Sequence, residues 1–524
     1  MKVNRYCILL ILLLFGSFWT AGAQKAPFFE PIRPSRAFQV MAHRGASGQA
    51  PENTRLALQR AIEDGFEWAE IDLQLTRDGK YVLYHDSKLD GKTDGAGRVA
   101  DYSLADLKKL DAGSWFAPRF AGERLLSLQE AFEIARNKIN LYLDCKAINP
   151  ESLVREILES GMERQVVVFD SYETLLRIRQ LSEARVPVMP KWRPANGFGE
   201  WLNRLQPAAV EIDASELTPE IGRAFHGKGI KVQAKTLGKE WDRPEMWDRV
   251  VASGADWIQT DYAEELIARE VLRRVPRRPI RISHHRGANR YAPENTLPAF
   301  EKSIRMGADF VEFDVRTTSD GRFFLLHDGD LRRTTNRAGP IRDVSSHVVT
   351  GLDAGSWFGR PFAGVRPPTL EEFLSAVAGK VDLYFDAKDI SPEALVAALE
   401  KHRVTDRTVV YQGVKYLQKL RGLNPRVRLL PPLNDLAQLE SIDAELHPYA
   451  VDTRWEILSK ELIDRCHSKG ILVFSDSMGG HEKIEDYEKA IGWGIDLIQT
   501  DHPLRLLRAI ELIGGAPDSG RKRG

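Results

Sequence analysis

Residues 41–86 read MAHRGASGQAPENTRLALQRAIEDGFEWAEIDLQLTRDGKYVLYHD, and the chain writes the pattern of this stretch twice. His43-Arg44-Gly45 returns as His285-Arg286-Gly287, and Pro51-Glu52-Asn53-Thr54 as Pro293-Glu294-Asn295-Thr296. Glu70-Ile71-Asp72 returns as Glu312-Phe313-Asp314, Asp78-Gly79 as Asp320-Gly321, and His85-Asp86 as His327-Asp328. Each pair is 242 residues apart, as 285 is from 43. The repeat runs on through Leu110-Asp111-Ala112-Gly113-Ser114-Trp115-Phe116 and Leu352-Asp353-Ala354-Gly355-Ser356-Trp357-Phe358, then Asp144-Cys145-Lys146 and Asp386-Ala387-Lys388. It has shortened by two residues at Gln259-Thr260-Asp261 and Gln499-Thr500-Asp501. A period this long marks a duplicated domain, not a solenoid repeat, and 524 residues exceed what one hydrophobic core supports.

The repeat divides the chain into units at 36–270 and 280–513. Between them, 271–279 carries Pro276, Pro279 and dense arginine, which suits an extended connection. The tail 514–524, rich in Gly and charge, is expected to fray. Residues 1–23 read as a secretory signal peptide: Lys2 and Arg5 precede the apolar run Cys7–Phe15, and Ala21-Gly22-Ala23 supplies small residues for cleavage. The expectation is a secreted or periplasmic protein with no membrane insertion after cleavage, since the apolar run is shorter than the ~20 residues of a spanning helix. Cys145 and Cys466 then remain, one per unit, and are read as unpaired. Composition is that of a globular protein, 43% hydrophobic and 28% charged, and a formal net charge of zero speaks against a nucleic-acid binder.

In the first unit, short apolar runs stand at 38–42, 68–73, 81–84, 139–143, 165–169, 186–189, 208–212, 229–233 and 256–259, mostly separated by helical patterns. Such alternation over about 240 residues predicts a parallel sheet closed into a (β/α)8 TIM-type barrel. That makes nine candidates for eight staves. The interval from His85 to Asp144 is far longer than a βα connection needs and predicts a small insertion after the second strand. Trp115 is read as core of that insertion.

Residues two apart in a strand share a face, so Glu70 and Asp72 stand together, as do Asp144 and Lys146. Adjacent buried carboxylates repel, and a divalent cation relieves the repulsion. The oxygen donors Glu70, Asp72 and Asp144 favour Mg²⁺ or Ca²⁺, with Mn²⁺ admitted by nearby histidines. His43 and His85 each end an apolar run and suit acid and base roles. Arg44 and Lys146 suit phosphate oxygens. Asn53 reads equally well as a helix N-cap or a site contact, Asp86 as a histidine partner or a turn former, and Glu211 and Asp452 as site or surface carboxylates.

The ordered set His-Arg-Gly, Pro-Glu-Asn-Thr, Glu-x-Asp, Asp-Gly, His-Asp and carboxylate-x-Lys resembles the glycerophosphodiester phosphodiesterase family, twice over. The resemblance implies metal-dependent hydrolysis of glycerophosphodiesters to glycerol 3-phosphate and an alcohol, through attack by the glycerol 2-hydroxyl and a cyclic phosphate. It implies metal positions at Glu70, Asp72, Asp144, Glu312, Asp314 and Asp386. Acid/base positions fall at His43, His85, His285 and His327, and phosphate-contacting positions at Arg44, Lys146, Arg286 and Lys388. Asp144 and Asp386 depart from the family's usual Glu. Unit two keeps Leu331-Arg332-Arg333-Thr334-Thr335 where unit one has Leu89-Asp90-Gly91-Lys92-Thr93, and both units lack the family's late Trp-Thr motif. Two alternatives stand beside this reading: a phospholipase D-like lyase forming a cyclic phosphate from lysophospholipid, and a non-catalytic role for one barrel, the first being the candidate.

Overall fold

The computed structural model describes residues 28–514. The expected leader at 1–23 and the tail beyond 514 lie outside the described residues. Strands of the first unit are β1 (Gln39–Ala42), β2 (Trp68–Leu75), β3 (Tyr81–Leu83), β4 (Asn140–Cys145), β5 (Val166–Phe169), β6 (Ala209–Asp213), β7 (Lys231–Lys235) and β8 (Trp257–Thr260). Those of the second are β9 (Arg281–His284), β10 (Phe310–Thr317), β11 (Phe323–Leu325), β12 (Asp382–Asp386), β13 (Thr408–Tyr411), β14 (Arg428–Leu430), β15 (Pro432–Leu433), β16 (Ala450–Arg454), β17 (Leu472–Asp476) and β18 (Leu497–Thr500).

In the first unit a parallel ladder runs β5-β4-β2-β1-β8-β7-β6. Its two ends are joined by the segment around Val188 and Lys191, which bridges in parallel to Val168 and to Glu211. That segment is the eighth stave, so the apolar run at 186–189 belongs to the barrel. The ninth candidate does not. The Thr76–Gly79 turn, with Gly79 at φ +70, reverses the chain, and β3 pairs antiparallel with the outer end of β2. In the second unit β14 and β15 are one stave interrupted at Pro431, which has no N–H to give the ladder; β14 pairs with β13 and β15 with β16.

The strand period of two sorts the side chains. In β2, Ile71 and Leu73 join the apolar layer beneath the helices, while Trp68 faces the barrel axis. Met41, Trp68, Tyr142, Val167, Met189, Ala209 and Trp257 fill the first barrel as an apolar plug. Phe310, Tyr384, Val409, Leu430, Ala450, Phe474 and Leu497 do so in the second. Each fully buried ring contributes about 2–3 kcal/mol. Two and four residues further along β2, the inward positions are Glu70 and Asp72, so the polar layer sits on the plug at the strands' C-terminal ends.

The insertion packs on its own apolar cluster, including Tyr84, Leu89, Val99, Leu107 and Leu125. Its repeated Asp-Ala-Gly-Ser motif is structural: Asp111 accepts the backbone N–H groups of Gly113, Ser114 and Gly122. A Cβ on Gly113 would lie 1.9 Å from the Phe120 carbonyl oxygen. Trp115 donates to the Ala112 carbonyl and packs against Phe116, half-buried on a cluster with Ala50 and Ala57 that ties the insertion to the barrel, and not in the insertion's own core as the sequence reading had it.

The barrels share a broad interface. Helix Ala263–Arg274 of the first packs against helix Pro503–Gly514 of the second. The former runs into the stretch read as an extended connection, because Arg273 pairs with Glu270 and Arg274 with Glu511 and so hold its last turn. Lys302 bonds Glu264 and Glu265, and Arg290 reaches Glu63 at 2.7 Å and Asp64 at 3.1 Å. The two insertions also meet, with the Arg119 guanidinium 4.1 Å from the Phe358 ring centre. Among the described residues no helix is long and apolar enough to cross a membrane.

Candidate active sites

Three carboxylates meet above the plug of each barrel. Oxygens of Glu70, Asp72 and Asp144 lie within 4.8 Å of one another, and so do those of Glu312, Asp314 and Asp386. The register explains the first set: Asp72 pairs directly with Asp144 across β2 and β4. Glu70 and Asp72 are each 1% exposed. Burial first, then the charges of Asp72 and Asp144, raises the Glu70 carboxyl well above the usual range. Glu312 is raised in the same way by burial, Asp314 and Asp386. Burial raises Asp144 as well, against the pull of Lys146.

The turn after β1 supplies the next groups. Arg44 (φ 56) and Gly45 (φ 75) are both left-handed, which brings the Arg44 N–H within 2.8 Å of Glu70 Oε2. A Cβ on Gly45 would meet the Ala57 backbone at 2.9 Å, so the turn requires glycine. The Arg44 guanidinium donates to both oxygens of Glu52, at 2.9 and 3.0 Å, and its Nε lies 3.5 Å from Asp72. Lys146 is 2.7 Å from Asp144 and 3.2 Å from Asp72. Barrel two repeats this: the Arg286 N–H meets Glu312 at 2.7 Å, the guanidinium meets Glu294 at 2.9 Å, and Lys388 reaches Asp314 at 3.2 Å and bonds Asp386.

His43 Nδ1 is 2.7 Å from Asp261, leaving Nε2 facing Glu70 at 3.9 Å. His285 stands the same way, 2.7 Å from Asp501 and 4.0 Å from Glu312. Burial opposes the charged form of His285, but the Asp501 hydrogen bond and charge outweigh it and raise the imidazole. His85 is not at the end of a barrel stave, contrary to the sequence reading. It follows the antiparallel β3, and the hairpin returns the chain to the rim, where the Tyr84 N–H donates to the Asp72 carbonyl at 3.0 Å. His85 Nδ1 meets Asp86 at 2.7 Å, as His327 meets Asp328. Gln74 in barrel one and Arg316 in barrel two hold the backbone carbonyl of that histidine.

Asn53 is not the helix cap. Thr54 caps Arg55–Glu63, while Asn53 (φ 59) grips Asp72 twice: its Nδ2 donates to Oδ2 at 2.7 Å, and its Oδ1 accepts the Asp72 N–H at 3.0 Å. Asn295 grips Asp314 at 2.8 and 3.1 Å. Glu52 and Asp261 were not singled out from sequence. Their only signal was repetition, in Pro-Glu-Asn-Thr and Gln-Thr-Asp, and Asp261 meets a histidine 218 residues away. The divergence after His-Asp is smaller than it reads: Arg333 bridges Glu294 and Asp328 in barrel two, and Lys92 bridges Glu52 and Asp86 in barrel one at 2.9 and 3.0 Å. Glu211 is not a surface carboxylate: it is 1% exposed and held by the Tyr142 hydroxyl at 2.8 Å and by Lys191 at 3.0 Å.

The donor set fits a hard divalent cation. It is all oxygen, and buried Asp72 Oδ1 faces the Lys146 ammonium at 3.2 Å without a well-directed hydrogen bond. Three carboxylates face one arginine already shared with Glu52 and one lysine, so negative charge is in excess. Glu70, Asp72 and Asp144, with Glu312, Asp314 and Asp386, are the residues that would hold it.

The model of the glycerophosphoryl diester phosphodiesterase family matches the chain at 43–265 and again at 285–505. Over 237 residues the chain is 32% identical to a glycerophosphodiester phosphodiesterase of Caldanaerobacter subterraneus, covering 44% of this chain and 96% of that protein. A Bacillus subtilis glycerophosphodiester phosphodiesterase is 30% identical over 244 residues, covering 42% of this chain and 82% of its own length. A solved structure, the glycerophosphodiester phosphodiesterase from Agrobacterium tumefaciens, is 27% identical, with a TM-score of 0.41 and coverage of 44% of this chain and 99% of that one. With both repeats matched, the chain belongs to the glycerophosphoryl diester phosphodiesterase family and carries its domain twice.

Proposed function

We propose that each barrel hydrolyses glycerophosphodiesters to glycerol 3-phosphate and an alcohol. The observation that carries this reading is the pairing, in both barrels, of a three-carboxylate cluster with a histidine anchored through Nδ1 beside it. Bound at the carboxylates, a divalent cation supplies positive charge for the phosphoryl oxygens.

The chain's own groups do the rest. Arg44 and Lys146, held by Glu52 and Asp144, are oriented to receive the remaining phosphate oxygens. A carboxylate on Nδ1 keeps that proton in place, so His43 and His85 each present Nε2 to substrate. One Nε2 takes the proton of the attacking hydroxyl while the other gives a proton to the leaving alcohol, and the same pair reverses roles when water opens the phosphate ester. Asn53 fixes the rotamer of Asp72, and Asp261 and Asp86 fix the imidazole rings.

Product analysis on glycerophosphocholine tests the reading. Free glycerol 3-phosphate and choline are expected. A product confined to cyclic phosphate, from this substrate or from lysophospholipid, would overturn it in favour of a lyase.

A further inference from the structure

The two barrels agree on the carboxylate side of the pocket and differ on the opposite wall. Strand register aligns the positions. Lys191 bridges to Glu211 in barrel one, and Pro432 pairs with Asp452 in barrel two. Lys235 pairs with Asp213, and Asp476 with Arg454. In barrel one the inward Glu211 is answered by Lys191 at 3.0 Å, and Lys235 lies 3.9 Å from it. In barrel two neither lysine remains: proline stands for Lys191 and aspartate for Lys235.

The consequence is a wall of two inward carboxyl groups, Asp452 and Asp476, with no lysine at the positions that hold Lys191 and Lys235 in barrel one. Asp452 Oδ1 and Asp476 Oδ1 are both buried without a hydrogen-bond partner. Burial, then mutual charge, raises Asp452 well above the usual carboxylate range. Asp476 ends β17, two residues beyond Phe474 of the plug and so on the same inward face, in the layer of the C-terminal strand ends. One partly buried ring completes the wall: Tyr411, level with Asp386 and above Tyr384 of the plug. Tyr384 and Tyr411 lie 6.2 Å apart, and the charges of Asp452, Asp476 and Asp386 act on both phenols. Barrel one has Phe169 at the Tyr411 position, 5.6 Å from Tyr142.

Carboxylates beside an aromatic face form the chemical setting that receives an alkylated or primary ammonium group. We propose that barrel two selects glycerophosphodiesters whose alcohol carries an ammonium group, whereas barrel one, with its wall neutralised by lysines, does not discriminate in that way. The pair therefore sorts substrates by head-group charge. This rests on the phosphodiesterase reading of both sites and adds a division of labour to it.

The test uses the full chain with one site silenced at a time, by Glu70→Gln or Glu312→Gln, and a panel of glycerophosphocholine, glycerophosphoethanolamine and glycerophosphoglycerol. The readout is the kcat/KM ratio of the choline ester to the glycerol ester. Expected is a ratio about tenfold higher for the Glu70→Gln protein, where barrel two alone works, than for the Glu312→Gln protein. Adding Asp476→Asn to the former lowers that ratio chiefly through KM, and Tyr411→Leu lowers it independently should the first variant fold poorly. Equal ratios in the two single-site proteins overturn the proposal. So does an Asp476→Asn protein, folded by its thermal melt, that loses the same factor on every ester, since that is the mark of a metal or glycerol contact. A Glu70→Gln protein inactive on all esters beside an active parent also overturns it alone. A parent chain that turns over none of the esters overturns the phosphodiesterase reading itself, and the sorting with it.

Discussion

Removing the Asn53 side chain separates two contributions that the left-handed turn combines. In Asn53→Gly the backbone keeps its φ of 59 at no steric cost, but Asp72 loses the donor to Oδ2 and its N–H loses the acceptor. A hydrogen bond to a charged group is worth about 1.5–3 kcal/mol and one to a backbone amide about 1, so the expected loss is about 3 kcal/mol. Asn53→Ala loses the same bonds but keeps a Cβ in left-handed backbone, so it lies about 1 kcal/mol below the glycine variant. For a unit of this size that is roughly 6–12 °C in the melting temperature of the first barrel, with alanine below glycine. The assay is calorimetry with and without divalent cation in a Glu312→Gln background, where cation affinity reports on barrel one. Weaker binding is expected in both variants, because Asp72 is free to leave the rotamer that faces Glu70 and Asp144. A glycine variant as stable as its parent, with unchanged cation affinity, would refute the assignment of Asn53 to the site.

Three further outcomes follow from the geometry. Glu70 has a folded pKa above its unfolded value of about 4.3, so it favours folding below that pH and this contribution is lost as pH rises through the folded pKa. The metal-free chain should therefore destabilise with rising pH above about 4, and metal-free Glu70→Gln should melt above the parent at neutral pH; a lower melt would contradict the burial argument. Arg290→Ala takes from buried Asp64 its ion-pair partner, leaving the Gln49 hydrogen bond and the charge of nearby Arg60, at a cost of about 3 kcal/mol, and loosens Asn289, which bonds Asp501. Its melting temperature should fall, and turnover by barrel two should fall more than turnover by barrel one; an unchanged melt would refute the coupling. Asp501→Asn removes the carboxylate that raises His285, so the histidine limb of the pH–rate profile of barrel two should move to lower pH, and a stationary limb would place that limb on another group.

The tandem barrels were legible because duplication and the alternation of strand and helix are written at long range, where chance agreement is small. The carboxylate cluster was legible through the strand period: Glu70 and Asp72 are two apart, and Asp144 and Lys146 repeat that spacing one stave over. What remained hidden depended on pairings that sequence spacing does not encode. The three-residue β3 looks like any short apolar run, and only its partner makes it antiparallel. Asn53 and Thr54 are both good N-caps, and the choice was made by the turn, which puts Asn53 in left-handed backbone and aims it at Asp72. Lys92 stands one position from the residue aligned with Arg333, so alignment by offset concealed that they bridge the same two acids. The loss of the late lysines in barrel two was visible only once register set Lys235 against Asp476.

The central claim is that both carboxylate clusters work through a bound cation to release glycerol 3-phosphate. It is tested most directly by chelating the parent chain, the two single variants Glu70→Gln and Glu312→Gln, and the double variant, and following glycerol 3-phosphate release before and after Mg²⁺, Ca²⁺ or Mn²⁺ is returned. The account predicts loss on chelation, rescue by at least one of these ions in the parent and in each single variant, and no release by the double variant. Turnover that survives chelation, or that persists in the double variant, would contradict it.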